Sequence, residues 1–562
     1  MKYISLFQSL CGGCKPAALG RPQIWLMCFL ALLLITANAD AAAIWYVDSA
    51  ASGANNGTSW TNAWTSLGSA SGSSVHAGDT VYISGGSAGN SQTYSGWSGP
   101  KNGTVGSPIT YQIGQDASHN GTVIFSGSGS WLGSPASVVI SGMVAGDGAM
   151  HFQTTGYSQL VSGSGSHVTL SYINFGTVSC PATYAMNFGS GVSDIQVDHC
   201  WLLVNGTGGS ANTANVFCSP TASAYDTGFR FLNNVMYVPC NPNGGGLGND
   251  GIRTDSGSGV TIAGNMLIAY SQSGGTSLGE HQDGIQNWTL GSYYKMYNNM
   301  WIDFQNADIN LSAYYGGFSH VRIYNNICGF TSSSRASQCE GVFCSISSSY
   351  VGSTPCAMTD CVVANNLAAG NSSGAFGLNA NGVYATWSGS VLANNITIQG
   401  ASSSADAGIL SVDNVNNMSA ATAVANFSSY SVYNGTNNNF KLLAGATSLI
   451  GRGTNLTAYG ITTDFANNPR PATGNWDIGP YEYLQAIPVI NTVLHSGANL
   501  IISGTNGSPN GNYLVLASTN LVLPRTNWTR LSTNSFDGSG NFIFTNPISS
   551  YKPGLFYLLQ LR

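Results

Sequence analysis

Three successive copies of one short pattern fill residues 249–327, and they limit what the chain can fold into. The first copy runs Asp250-Gly251-Ile252-Arg253 and then Val260-Thr261-Ile262-Ala263-Gly264-Asn265-Met266. The second runs Asp283-Gly284-Ile285-Gln286 and then Tyr294-Lys295-Met296-Tyr297-Asn298-Asn299-Met300. The third runs Ala307-Asp308-Ile309-Asn310 and then Val321-Arg322-Ile323-Tyr324-Asn325-Asn326-Ile327. Each copy holds two β-type runs separated by a Gly/Ser-rich turn, and the copies recur every 27 to 34 residues. A unit this short cannot bury its apolar side alone, so it must stack on its neighbours as a solenoid.

Composition agrees. Only 7% of residues are charged while 43% are hydrophobic, which argues against disorder. The net charge of −6 gives no basic footprint for nucleic acid. Residues 1–41 read as a secretory signal peptide. Lys2, Lys15 and Arg21 precede the apolar run Ile24–Ile35, and Ala37-Asn38-Ala39 or Ala39-Asp40-Ala41 offers a cleavage site. That run is too short to span a bilayer, and no transmembrane anchor is expected elsewhere. The expected product is a secreted or cell-surface protein, of bacterial type and monomeric. Nine cysteines fall beyond the signal peptide, five of them between 328 and 361. Export permits disulfides there, plain buried thiols are the other reading, and the spacing does not suit zinc.

Residues 42–90 are expected to cap the first edge of the solenoid, which should run over 91–483. Its second strand is placed at His167–Phe175, Asp194–Leu203, Phe229–Tyr237, Val260–Ala269, Tyr294–Asp303, Val321–Gly329, Cys361–Ala368 and Val391–Gln399. Asn233-Asn234, Asn298-Asn299, Asn325-Asn326, Asn365-Asn366 and Asn394-Asn395 recur at one register, which predicts an asparagine ladder at a coil corner. From 484 to 562 apolar and polar residues alternate, as in a small antiparallel β-sandwich. This C-terminal module resembles appendages that sort or attach secreted bacterial proteins to a surface.

Tyr46-Val47-Asp48, Gly57-Thr58-Ser59-Trp60 and Gly78-Asp79-Thr80-Val81-Tyr82-Ile83 resemble the opening of secreted right-handed parallel β-helix proteins of the pectate-lyase-like superfamily. Asn468-Pro469-Arg470-Pro471 and Trp476-Asp477-Ile478-Gly479-Pro480-Tyr481-Glu482-Tyr483 resemble the close of the same group. The resemblance implies an all-β, right-handed parallel β-helix over 43–483. In that family an Asp follows the Asp-Gly by four positions, where this chain has Thr254, so the likeness is one of fold.

Chemistry is expected in the same window as the repeats. Nine of the 38 charged residues lie between 250 and 322. Asp250 and Asp283 share a register, with Asp308 one residue displaced. Arg253, Gln286 and Asn310 share a second, and Arg230, Thr261, Lys295 and Arg322 a third. Stacked carboxylates about 4.8 Å apart repel and raise one another's pKa. They form either a cation site, with calcium the expected ion, or a general acid/base pair. A turn in which each Asp caps the backbone is the plain alternative. The candidate metal ligands are Asp250, Asp283, Asp308 and Glu280. The family resemblance implies a Lys or Arg base that removes the proton α to a uronate carboxylate. Lys295, Arg253 and Arg322 are the candidates, with His281 a further base and Asp283 an acid. Gln286, Trp288, Asn310, Tyr314 and Tyr315 are expected to contact the substrate, the aromatics as sugar platforms. The leading expectation is an exported polysaccharide lyase cleaving a uronate-containing glycan by β-elimination. A glycoside hydrolase with paired carboxylates and a non-catalytic glycan-binding adhesin are the alternatives.

Overall fold

A computed structural model describes residues 42–562 except 98, 180–183, 190, 206–212, 219–225, 241–248, 255–256, 272–281, 288–289, 314–315, 338–342, 349–355, 371–375, 379–384, 401, 485–486, 509, 549–553 and 562. The signal-peptide expectation, Cys180 and Cys339 lie outside these residues. Three parallel sheets, with 18, 12 and 10 strand segments, are built from neighbouring coils of one solenoid. One coil shows the order. Asp283–Asn287 belongs to the third sheet, Gly291–Ser292 and Lys295–Tyr297 to the first, and Met300–Ile302 to the second; Ala307–Ala313 then rejoins the third. Pairing of Lys295 with Thr261 and Arg322, and of Gln286 with Arg253 and Asn310, gives the registers expected from the repeats.

Each coil carries three sheet positions where the sequence pattern suggested two. The expected single strand Tyr294–Asp303 is two strands, Lys295–Tyr297 and Met300–Ile302, on different sheets. The break falls at Asn298, which has φ 56°, a left-handed backbone that only Gly and a few polar residues tolerate readily. The same corner is made by Asn233, Gly264, Asn325, Asn365 and Asn394, all with φ between 53° and 69°. The second residue of each pair turns inward and builds the ladder. Oδ1 of Asn265 accepts from Asn234 N at 2.8 Å, Asn299 from Asn265 at 3.0 Å, and Asn326 from Asn299 at 3.2 Å. Asn366, Asn395 and Asn414 continue it at 2.9–3.1 Å. The Asn-Asn pair is therefore a division of labour, one residue for the turn and one for the ladder.

Asn326 is 1% exposed and also donates to Met296 O and Asn366 Oδ1, both at 2.9 Å. Its loss leaves buried amides without partners, at about 1–3 kcal/mol each. Asn326→Ala is expected to lower unfolding free energy by about 2–4 kcal/mol, read by urea denaturation.

The interior is a continuous apolar stack in which Trp131, Trp301, Phe125 and Phe152 are almost wholly buried. The residues expected to cap the N-terminal edge partly join it, since Ile44–Val47 and Thr80–Ile83 pair in parallel as the first rungs of the first sheet. Asp79 fastens them, accepting from Ala43 N, Trp45 Nε1 and His76 N at 2.8 Å each. Burial opposes its charge, but these donors hold its carboxyl below the ordinary range.

Residues 453–483 fold back along the outer row of asparagines. Asn325 donates to Thr463 O, Asn365 to Gly479 O and Asn394 to Thr454 O, at 2.8–3.0 Å. The fastening centre is Arg470, fully buried, which donates to Glu482 Oε1 at 2.5 Å and to Asn325 Oδ1 and Gly479 O at 3.0 Å each. Beyond, Val489–Ser496, Asn499–Thr505 and Phe542–Pro547 form one antiparallel sheet, and Asn512–Ser518, Thr529–Ser535 and Phe556–Leu561 a second. Tyr513, Val515, Phe536 and Phe542 form a core shared by both. No helix among the described residues is long and apolar enough to cross a membrane.

Among the described residues Cys200, Cys344, Cys356 and Cys361 are buried free thiols, so the thiol reading holds at these four positions, and Cys328 is buried as well. Burial pushes the Cys200 and Cys361 thiols up to about 12, which keeps them protonated and unreactive.

Candidate functional site

The third sheet gathers the polar residues of the repeat. Asp283 opens the strand Asp283–Asn287 and is fully buried. Three carboxamides point at its carboxylate. Gln286 Nε2 donates to Oδ2 at 2.9 Å, Asn310 Nδ2 to Oδ2 at 3.0 Å, and Asn306 Nδ2 to Oδ1 at 2.7 Å. Two come from the next coil and one from the same strand, so the stacking of coils assembles the cage. Asp250 lies one coil earlier, 2% exposed, and its Oδ1 accepts from the Asp283 backbone N at 3.1 Å. Arg253 pairs with Gln286 in the same sheet. The expected grouping of Asp250, Asp283, Arg253, Gln286 and Asn310 is thus brought together. Asn306 was missed from sequence, because it precedes the repeated run and looks like an ordinary turn residue.

Other candidates fall elsewhere. Lys295 is exposed on the first sheet, between Thr261 and Arg322 in register, so strand pairing does not bring it to Asp283. Lys295 and Asp283 were both candidates for one site, and their strands belong to different sheets. Arg322 is also corrected as a free base. Its guanidinium donates to Asp360 Oδ2 at 2.7 Å, Asp360 O at 2.5 Å and Tyr459 O at 2.9 Å, and it lies over the Tyr459 ring. It braces the returning segment against the first sheet. His281, Glu280, Trp288, Tyr314 and Tyr315 lie outside the described residues.

Asp308 is a third correction. Ala307, not Asp308, pairs with Asp283, and the one-residue displacement turns Asp308 to the other face. It packs inside the solenoid, 4% exposed, where Oδ2 has no hydrogen-bond partner among the described residues. Burial raises its pKa well above the ordinary value; a bond with Cys328 opposes this, and the charges of Asp283 and Asp303 add to it. A group raised in the folded state contributes fully below its unfolded pKa, and that contribution is lost as pH rises toward the folded pKa. Asp308→Asn should therefore flatten the fall in stability that sets in as pH rises above the ordinary carboxylate range, a fall of about 1.4 kcal/mol for each pH unit lying between the unfolded and folded pKa. Urea denaturation of both proteins at pH 4.5 and pH 8 measures it.

The described residues do not suit calcium. That ion takes six to eight oxygens, whereas both Asp283 oxygens face N–H donors and Asp308 faces inward. No cluster of three or more His, Cys, Asp or Glu able to hold a metal occurs among the described residues.

No family model matches this chain, and no curated protein matches it. Among solved structures it is similar to an alginate lyase from Paenibacillus sp. str. FPU-7, at 11% identity over 60% of this chain and 91% of that one, with a TM-score of 0.26. It is also similar to a GH136 lacto-N-biosidase from Eubacterium ramulus, at 12% identity over 71% of this chain and 70% of that one, with a TM-score of 0.25. Likenesses this remote do not reach individual residues. The chain is an all-β parallel β-solenoid of about eight turns, with a few antiparallel sheets at its C-terminus.

Proposed function

We propose that this chain is an exported glycan-cleaving enzyme acting through Asp250 and Asp283 on the third sheet. The observation that carries the reading is the carboxamide cage, in which Gln286, Asn306 and Asn310 all donate to Asp283. Hydrogen bonds to the charged form favour the carboxylate, which suits a nucleophile or general base. Asp250, on the preceding coil, is then the proton donor. Adjacent strands lie about 4.8 Å apart, close to the separation of about 5–5.5 Å that goes with retention of configuration. Hydrolysis is placed ahead of β-elimination because Lys295 stands on another sheet and Arg322 is tied to Asp360.

One observation favours β-elimination as the second reading: Arg253 pairs with Gln286, beside the caged carboxylate. In that case Arg253 is the base or the cation that neutralises a uronate. Neutral and uronate polysaccharides, with calcium and with chelator, should be assayed for new reducing ends and for absorbance near 235 nm. Reducing ends with no 235 nm signal fit hydrolysis. A 235 nm signal transfers the assignment to Arg253, and silence in both removes the enzyme reading.

A further inference from the structure

The outer asparagine column has one gap. Every corner from Asn233 to Asn394 carries a side chain except Gly264, φ 69°. At Asn298, Asn325, Asn365 and Asn394 that side chain is bonded to the returning segment 453–483. Gly264 has no side chain to make that bond, and a cavity of about 560 Å³ opens there between the column and the segment. Its wall includes Asn233, Gly264, Tyr297, Asn298, Phe465 and Asn467, and among the described residues it has no Asp, Glu, Lys, Arg or His.

We propose that this notch binds a neutral pyranose, as a free sugar or as one ring of a glycan, at a place separate from the carboxylates of the third sheet. The size lies within the range of about 300–1,000 Å³ usual for small-ligand pockets. Carboxamides each offer a donor and an acceptor, which matches vicinal hydroxyls. Two of these groups are unused within the described residues. Asn233 gives its Nδ2 to Asp198, leaving Oδ1 over Gly264, and Asn467 accepts from Asn298 through Oδ1, leaving its Nδ2. The aromatic wall is equally specific. Tyr297 stacks on Tyr324 with centroids 4.9 Å apart and planes 2° from parallel. On the preceding coil the paired residue is Ala263, so the stack ends and leaves one ring face to the cavity. An apolar ring face with polar groups at its margin fits the C–H face and hydroxyl edge of a sugar. A wall without charge selects a neutral ring over a uronate.

Saturation-transfer NMR and calorimetry on the full chain, with methyl glucosides, galactosides and mannosides as probes, test this directly. Saturable binding of at least one probe is expected. Gly264→Asn restores the side chain that the other corners carry, in a conformation Asn tolerates. The new Cβ meets Asn233 Oδ1, the tip of a flexible side chain that can turn aside. This variant should weaken binding at least tenfold with an unchanged melting temperature. Phe465→Ala should weaken it similarly, while Asp283→Asn should leave it intact. No binding of any probe, or binding unchanged in both notch variants, overturns the proposal. Loss in Asp283→Asn alone would place the sugar on the third sheet and overturn it too. Neither result depends on whether the protein cleaves glycans.

Discussion

Arg470→Ala is expected to destabilise the protein by about 3–5 kcal/mol, the range for breaking a buried ion pair from one side. Arg470 is 5% exposed and bonds to Glu482, Asn325 and Gly479 at once, with its guanidinium 5.1 Å from the centre of the Trp476 ring. Burial already raises the Glu482 carboxyl to about 7 despite the pull of Arg470. Without the cation, Glu482 must ionise unpaired in a dry site or take up a proton. The variant should therefore lose more stability at pH 8 than at pH 5, since Glu482 is neutral at the lower value. Urea denaturation at both values, with limited proteolysis around residues 453–483, reads the effect. A loss below about 1 kcal/mol, the level of an exposed ion pair, would show that the segment is held by its asparagine contacts instead.

Asp283→Asn is expected to cut glycan cleavage by about 10²–10⁴-fold, the usual contribution of a positioned acid or base. The amide keeps the size of the side chain but removes one acceptor from a cage of three donors. Stability should also fall, by about 1–3 kcal/mol for a buried donor left unpaired. The two effects are separated by assaying well below the melting temperature of the variant. Asn306→Ala serves as a companion. It removes one donor to Oδ1 and should lower the rate, by about tenfold for each 1.4 kcal/mol of lost transition-state stabilisation.

Much of this architecture was legible in the repeats. The Asp-Gly copies gave the coil, the paired registers and the third-sheet cluster, and the Asn-Asn pairs gave the ladder. The third sheet position per coil was hidden because the turn at Asn298 occupies a single residue and leaves the apolar pattern on both sides looking continuous. Periodicity along one strand also cannot say which sheet a residue joins. Lys295 and Asp283 are only twelve positions apart in sequence, yet the intervening corner sends them to different sheets. Asp308 shows the cost of one residue of displacement, which took a carboxylate out of the register that Asp283 shares with Ala307 and left it buried among core residues. Gly264-Asn265 does not read as one of the Asn-Asn pairs because glycine makes the same left-handed corner without a side chain. Arg322 invited a catalytic reading because the returning segment that occupies it is 137 residues away in sequence.

The most direct test of the central claim compares wild type, Asp283→Asn, Asp250→Asn and Lys295→Ala on one cleaved glycan, following reducing ends and absorbance near 235 nm together. The account predicts reducing ends without a 235 nm signal, near-complete loss in both aspartate variants, and wild-type rates in Lys295→Ala. Full activity in the aspartate variants with loss in Lys295→Ala would contradict it and move the chemistry to the first sheet.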